Sequence, residues 1–284
     1  MPKCFNPKKN NPNMFDYKRI TQSTDLYNLH THTQFCDGHA TMEEFVTEAI
    51  DQGIIHLGFT PHSPISVESP CNMSLESVPT YFDEVKRLRK LYGDRITLYT
   101  SMEIDYVSVG DGPANDYFKQ LPLDYRIGSV HFIPAIDNPS VMVDVDGKFP
   151  DFKVRMGKYF NCDIEYVVKT FFSQMMAMVD EGGFDIVGHM DKIGFNASQY
   201  NENIEEEPWY DKLVIDLFEN IMDHHLIIEV NTKAWLQRNR FYPNLKYFGM
   251  LKRFNAPVVF NSDAHYPTLL NSGRIEAMNL FNVL

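Results

Sequence analysis

The stretch LHTHTQFCDGHAT, residues 29–41, sets His30, His32 and His39 beside Cys36 and Asp37. Imidazoles and carboxylates can hold a divalent metal, a histidine can serve a nucleophile as base, and a histidine-rich turn can be no more than polar. Leu26–Leu29 reads as the end of a strand, and residues i and i+2 of a strand project to the same side, so His30 and His32 point together as two ligands of one ion must. Ligand-type residues recur in short motifs down the chain: GFTPH supplies His62, SMEIDY supplies Glu103 and Asp105, and GSVH supplies His131. GHMD adds His189 and Asp191, EVNTK adds Glu229, Asn231 and Lys233, and NSDAH adds Asp263 and His265. A lone histidine is ordinarily a satisfied surface or core group, but of ten histidines only His56, His224 and His225 fall outside this pattern.

Imidazole and carboxylate without cysteine clusters suit Zn²⁺, Mn²⁺ or Fe²⁺ acting as Lewis acids. So many ligands exceed the needs of one ion. A carboxylate can bridge two metals through its two oxygens whereas a neutral imidazole has one lone pair to give, which makes Glu103 the natural bridge. Sites with ions about 3.5–4 Å apart are typical of phosphoester hydrolysis. The chain has no G-x-S-x-G nucleophile elbow and no P-loop, so nothing in it calls for a phosphoenzyme.

Such residues need a scaffold that delivers them to one face. Seven apolar or β-branched runs read as strands: Leu26–Leu29, Ile54–Phe59, Ile96–Met102, Tyr125–Val130, Phe184–Val187, Leu226–Val230 and Val258–Phe260. Helix-length segments lie between most of them. Thr41 with Glu44 forms a capping-box signature before MEEFVTEAIDQ, and Gly53 stands at its end; YFDEVKRLRKLY stops at Gly93; Asp163 precedes a long helix that stops at Gly182. WYDKLVIDLFENIMDH and LKYFGMLKRF fill the last two gaps. The stripe Phe171, Phe172, Met175, Met176 and Met178 is core packing at helical spacing. Strands alternating with helices imply a parallel sheet, and seven units imply a closed barrel with reactive groups at the C-terminal strand ends. Each motif above follows such an end. Residues 1–24, rich in Asn, Lys and Pro, read as a tail or capping segment, and residues 25–284 as a single barrel domain.

The four cysteines are scattered without a C-x-x-C pair and read as reduced thiols. No run approaches the roughly 18 apolar residues of a membrane span and the start has no apolar leader, which points to a cytoplasmic protein with no membrane partner. A formal charge of −12 without a basic track argues against long nucleic acid. The expected partner is a small phosphorylated substrate, and nothing in the sequence fixes an oligomeric state. Holding about three divalent ions would bring the charge to about −6 and make the pocket locally positive.

With these residues in view, the chain resembles the PHP (polymerase and histidinol phosphatase) superfamily. His30-x-His32, CDG with Asp37, TPH with His62, MEIDY with Glu103, GSVH with His131, GH with His189, and SDAH with Asp263 and His265 carry the likeness over residues 25–284. The wording of HTHTQFCDGHAT, IGSVHFI, VGHMD and EVNTK looks most like the histidinol-phosphate phosphatase branch. The resemblance implies a distorted (β/α)7 barrel with three divalent metals, Zn, Mn or Fe, and a phosphomonoesterase that hydrolyses L-histidinol phosphate with metal-activated water. It implies one metal on His30, His32, Glu103 and Asp263, a second on Glu103, His131 and His189, and a third on Asp37, His62 and His265. Either Asp37 or His39 could fill the third position; Asp37 is favoured, leaving His39 for phosphate or leaving-group contact. The family writes Asp before the histidine of its second motif, where this chain has Pro61. His39 and Asp263 are candidates to protonate the leaving alcohol, and Lys192, Lys233 and Arg238 follow rim-forming strands as phosphate ligands. The segment Ala135–Asn161 reads as a long loop on the same rim, able to close over substrate.

Overall fold

The computed structural model describes residues 15–284. The strands are β1 (Tyr27–Asn28), β2 (His56–Phe59), β3 (Thr97–Thr100), β4 (Glu103–Asp105), β5 (Ile127–Ser129), β6 (Phe132–Pro134), β7 (Met142–Asp144), β8 (Ile186–Val187), β9 (Ile227–Asn231) and β10 (Val258–Asn261). The helices are α1 (Tyr17–Thr21), α2 (Met42–Asp51), α3 (Val78–Tyr92), α4 (Asp116–Gln120), α5 (Phe149–Tyr159) and α6 (Ile164–Glu181). They continue as α7 (Ile193–Tyr200), α8 (Pro208–Asp223), α9 (Trp235–Arg238), α10 (Phe248–Arg253) and α11 (Arg274–Val283).

β1, β2 and β3 pair in parallel in that order, and β4, β5, β8, β9 and β10 form a second parallel run. Parallel bridges Thr31–Ala264 and His62–Glu103 join the two runs at both edges and close a distorted (β/α)7 barrel. β3 and β4 are one stave broken at Ser101 and Met102, where the sequence predicted an unbroken strand. At the break the Tyr81 hydroxyl, sent in from α3, donates to the Ser101 carbonyl at 2.7 Å, lies 3.0 Å from that of Phe59 and accepts from the Ser101 N–H, which it shares with the Phe59 carbonyl. Downstream of it Glu103 starts afresh beside His62 and β5.

The helix signals act as read. Thr41 accepts from the Glu44 N–H while the Glu44 carboxylate accepts from Thr41, and Asp163 caps α6 through the Tyr166 N–H. Phe171, Phe172, Met175 and Met178 are buried in the core between α6, α8 and the barrel. α3 begins three residues earlier than the sequence suggested, with Pro79 in its first turn, where a missing N–H is harmless.

One region departs from the sequence reading. The stretch Ala135–Asn161, read as a long loop, holds β7, which pairs antiparallel with β6 just before it, and then α5, whose Phe152 and Met156 are buried. In the stretch read as a tail or capping segment, α1 buries Tyr17 and Ile20, and the Phe15 ring lies 4.6 Å from that of Tyr125. Residues 1–14, with Cys4, lie outside the described residues. Among the described residues no helix is long and apolar enough to cross a membrane.

Candidate metal centre

A parallel barrel points every C-terminal strand end the same way, and here those ends bring the histidines and acids of the sequence motifs together. His30 and His32 follow β1, His62 follows β2, Glu103 opens β4, His131 follows β5, His189 follows β8, and Asp263 and His265 follow β10. His30, His32, Glu103, His189 and Asp263 are at most 2% exposed. Two of them sit on unusual backbone: His189 at φ +23° and Asp263 at φ +51°. A non-glycine residue in that region costs about 1–3 kcal/mol and persists where surrounding contacts impose it.

Glu103 is the hub. One oxygen lies 3.4 Å from both His30 Nε2 and His32 Nε2 and 3.1 Å from His62 Nδ1; the other lies 2.8 Å from His189 Nε2 and 3.6 Å from His131 Nε2. Asp263 closes one side, 3.1 Å from His32 Nε2 and 3.8 Å from His30 Nε2. On the other side Asp37 is 3.3 Å from His265 Nε2 and 3.8 Å from His62 Nε2.

Neighbouring acceptors decide which imidazole nitrogens face inward. His30 donates from Nδ1 to Glu229 at 2.7 Å, His131 donates from Nδ1 to Asp105 at 2.5 Å, and His265 donates from Nδ1 to the Asp263 carbonyl at 3.0 Å. Each therefore presents Nε2 to the cluster, the arrangement by which acceptors orient metal-binding histidines. The second oxygen of Asp105 accepts from Asn72 at 2.9 Å, so both of its oxygens are already engaged.

The electrostatics follow from burial working against neighbours. Burial pushes His30 toward the neutral form, but Glu229, Asp263 and Glu103 hold its pKa well above the usual value. Burial and the nearby His265 and His62 take His32 well below it. Burial disfavours the Glu103 carboxylate, yet His30, His62 and His131 bring its pKa well below the carboxylate range; Lys233 and His30 do the same for Asp263. His131 is raised to about 9 by Asp105 and Glu103 against its burial, while burial and Lys192 lower His189 to about 4. Burial would raise Asp37 too, but His265, with Nε2 at 3.3 Å, and the neighbouring His62 and His32 leave it ionised.

These residues fit divalent metals on their own geometry. His30 Nε2 and His32 Nε2 face each other at 3.1 Å with two carboxylates beside them, and Asp37 Oδ1 and His62 Nδ1 are buried without a hydrogen-bond partner. Lone pairs converging on common points without donors are what a cation satisfies. Ligand atoms lie within 4.8 Å of one another in the groups His30–His32–Glu103, Glu103–His131–His189 and His32–Asp37–His62–His265, and a further group, His62–Asp105–His131, overlaps them.

A cavity of about 870 Å³ opens above the cluster, lined by His62, His131, His265, Asp37 and Asp105 on its floor and by Met142, Val143, Asp144, Asp146, Gly147, Phe149, Arg155, Phe195 and Tyr242 on its walls. Lys192, Lys233 and Arg238 all border it. Lys192 is 7% exposed, Lys233 Nζ lies 3.3 Å from both Asp263 and His265, and Arg238 is exposed beside the Phe195 ring. His39 is not brought to the cluster. Its ring stacks on Tyr266 at 4.3 Å on the outer side, because the His39 N–H bonds the His265 carbonyl and turns the side chain outward.

Sequence reasoning brought Asp105 and Glu229 to the rim without giving either a role, and it did not single out Asp146. The signal for Glu229 was available: it is a carboxylate inside IIEVN, a strand buried on both faces, where an unpaired charge cannot stand. Asp146 lies 2.9 Å from Lys192, and its stretch had been read as loop.

Comparison with known proteins agrees with this geometry. The PHP domain profile matches residues 28–233. The "Probable histidinol-phosphatase" of Deinococcus radiodurans is 26% identical over 254 residues, which cover 86% of this chain and 88% of that protein. A solved Listeria monocytogenes structure, assigned as a histidinol phosphatase, superposes with a TM-score of 0.77 at 18% identity, over 88% of this chain and 99% of the other. The histidinol phosphate phosphatase of Lactococcus lactis, solved with zinc, L-histidinol and phosphate, gives a TM-score of 0.68 at 20% identity over 91% and 93%. At these identities the two structures speak for the shared fold, while the profile covers most of the chain: it belongs to the PHP domain family.

Proposed function

We propose that this chain is a metal-dependent phosphomonoesterase that hydrolyses L-histidinol phosphate to L-histidinol and phosphate, a step of histidine biosynthesis in the cytoplasm. The observation that carries the reading is Glu103, buried and touching five imidazoles at the floor of a cavity whose border carries fixed cations. The names of the full-length relative and of the zinc-, histidinol- and phosphate-bound neighbour support the substrate.

His30, His32, Glu103 and Asp263 would hold one metal, Glu103, His131 and His189 a second, and Asp37, His62 and His265 a third. Zn²⁺ suits this nitrogen and oxygen donor set, as do Mn²⁺ and Fe²⁺. Bound there, divalent ions lower the pKa of water and neutralise charge on phosphoryl oxygens. The chain's own residues do the rest. Glu229, Asp105 and the Asp263 carbonyl lock three imidazoles in the binding tautomer. Lys192 and Lys233 face the non-bridging phosphoryl oxygens, and Arg238 stands further out. Asp263 would accept the proton of the attacking water and pass it to the leaving alcohol oxygen. The P–O bond to the alcohol breaks, the leaving oxygen takes up that proton, and histidinol leaves toward the walls formed by Met142, Asp144, Phe149, Phe195 and Tyr242. His39, stacked outside the cavity, takes no part.

Metal-loaded protein assayed for phosphate release against a phosphomonoester panel and a phosphodiester tests the reading. Histidinol phosphate is expected to be the best substrate and chelation to abolish turnover; full activity in metal-free protein, or preference for the diester, would sink it.

A further inference from the structure

Lys192 carries one ammonium group, and the structure gives it one close acceptor, Asp146 at 2.9 Å; His131 Nε2 at 3.4 Å and His189 Nε2 at 3.5 Å flank it, and Asp263 is further off at 4.0 Å. The side chain is almost wholly buried, so its charge depends on these partners. Asp146 is delivered by a stretch fixed from two sides. The Val145 N–H bonds the His131 carbonyl at 2.9 Å, and the buried Asn196 amide reaches the carbonyls of Val145, Asp146 and Gly147 at 3.2, 3.3 and 3.3 Å. Asn196 lies one helical turn beyond Lys192, so α7 grips the backbone of the insertion and sets Lys192 against its carboxylate with the same face.

We propose that Asp146 is the positioning residue for Lys192, holding its ammonium over the cavity floor so that two N–H bonds are directed at a phosphoryl group. The inference rests on the phosphomonoesterase reading above. With the Nε2 atoms of His131 and His189 committed to a metal, neither can accept from Lys192, and Asp146 is the acceptor within hydrogen-bond reach. An ammonium beside divalent cations is repelled toward solvent unless an anion retains it. Asp146 is that anion, and Lys192 lines the cavity beside His131, which leaves its other two N–H bonds for a ligand bound there. The arrangement also gives the β6–β7 insertion a task distinct from enclosing the cavity: through Asp146 it holds a phosphate ligand.

Binding of inorganic phosphate to the metal-loaded protein, followed by calorimetry, reads this directly. Asp146→Asn should weaken phosphate binding about tenfold and raise KM for a phosphomonoester more than it lowers kcat. Asp146→Glu should recover part of the loss, and Asp146→Asn placed in a Lys192→Gln background should add little, because the two act as a unit. Phosphate affinity within twofold of wild type in Asp146→Asn, or an undiminished effect of that change in the Lys192→Gln background, would overturn the proposal. If Asp146→Asn does not fold, Asp146→Ser carries the same comparison. Turnover by the wild-type protein, measured alongside, tests the enzymatic reading separately, since phosphate can bind through Lys192 whether or not histidinol phosphate is the substrate.

Discussion

His30 Nδ1 lies 2.7 Å from a Glu229 oxygen, and the same carboxylate also accepts from the Asn231 amide at 2.9 Å, the Asn261 amide at 3.0 Å and the backbone N–H of His189 at 3.0 Å. With four donors around it Glu229 has no lone pair left for a metal. Its work is to hold the His30 ring and the His189 backbone, on two separate staves, in one arrangement.

Glu229→Gln keeps the shape but places an amide where acceptors are needed. Affinity for the first metal should fall about 10–100-fold, as when other acceptors behind metal-bound histidines are removed. Equilibrium dialysis checks this, and unchanged affinity would show that His30 needs no such partner.

Glu103→Gln should abolish activity while the barrel still forms, because an amide lacks the charge that bridges two cations. A ten-thousandfold loss corresponds to roughly 5.5 kcal/mol in the barrier. Circular dichroism should match wild type and elemental analysis should show lost metal; a near-normal kcat would remove Glu103 from the site.

The staves and their chemical load were legible because two periodicities coincide. Apolar runs of strand length mark the staves, and each is followed at once by ligand-type residues, so His62, His131 and His189 could be placed from motif position alone. The broken third stave was not legible, since the Tyr81 hydroxyl that meets the Ser101 backbone at the break comes from some 20 residues away in the chain. The insertion was missed for a local reason: in VMVDV the alternation spans five residues, and Phe149, Phe152 and Met156 share a helix face only if Pro150 is allowed in a first turn. Asp146 was lost with it. His39 illustrates the reverse error, since sequence proximity to Asp37 said nothing about the hydrogen bond to His265 that turns it away.

Metal uptake should release protons. His30 is held above its usual pKa and His131 at about 9, so at pH 7 the metal-free protein carries protons that bound metal must displace. For the metal-free fold the sign is the opposite of that for metal affinity. A His131 pKa raised from 6.5 stabilises the fold fully below about 6.5, and that contribution is lost as pH rises through about 9. Apparent metal affinity should therefore climb between pH 6.5 and 9 while the chelated protein loses thermal stability over the same window. Calorimetry in buffers of different ionisation enthalpy would show the released protons; no buffer dependence would rule the coupling out.

Gly58 lies where the barrel interior is tightest. A Cβ there would stand 1.8 Å from the Tyr125 hydroxyl, which donates to the Leu29 carbonyl at 2.6 Å, and 3.0 Å from Leu29 Cα. Gly58→Ala should cost at least ~1–3 kcal/mol of stability through overpacking. Adding Tyr125→Phe should recover part of it by removing the clashing oxygen, so the double variant should melt above the single one. Denaturant titration decides, and a single variant within about 0.5 kcal/mol of wild type would contradict the packing described.

Selection of the leaving group should reside in the β6–β7 insertion and its neighbours. The walls above the metals combine the faces of Phe149, Phe195 and Tyr242 with Asp144, which is paired to Arg155 at 2.8 Å. A compact alcohol bearing an amine and an imidazole offers both a cation for the carboxylate and a ring for the aromatic wall, whereas a sugar phosphate offers neither. A site built to bind such groups rejects analogues that lack them. The expected kcat/KM for L-histidinol phosphate exceeds that for simple sugar phosphates by about a hundredfold, on the order of 2.7 kcal/mol. Asp144→Asn and Phe195→Ala should then lower kcat/KM for histidinol phosphate far more than for p-nitrophenyl phosphate, whose good leaving group needs little help from the walls. Equal losses on both substrates would assign these residues to the fold of the insertion alone, and a sugar phosphate that outperforms histidinol phosphate would move the substrate assignment while leaving the metal centre untouched.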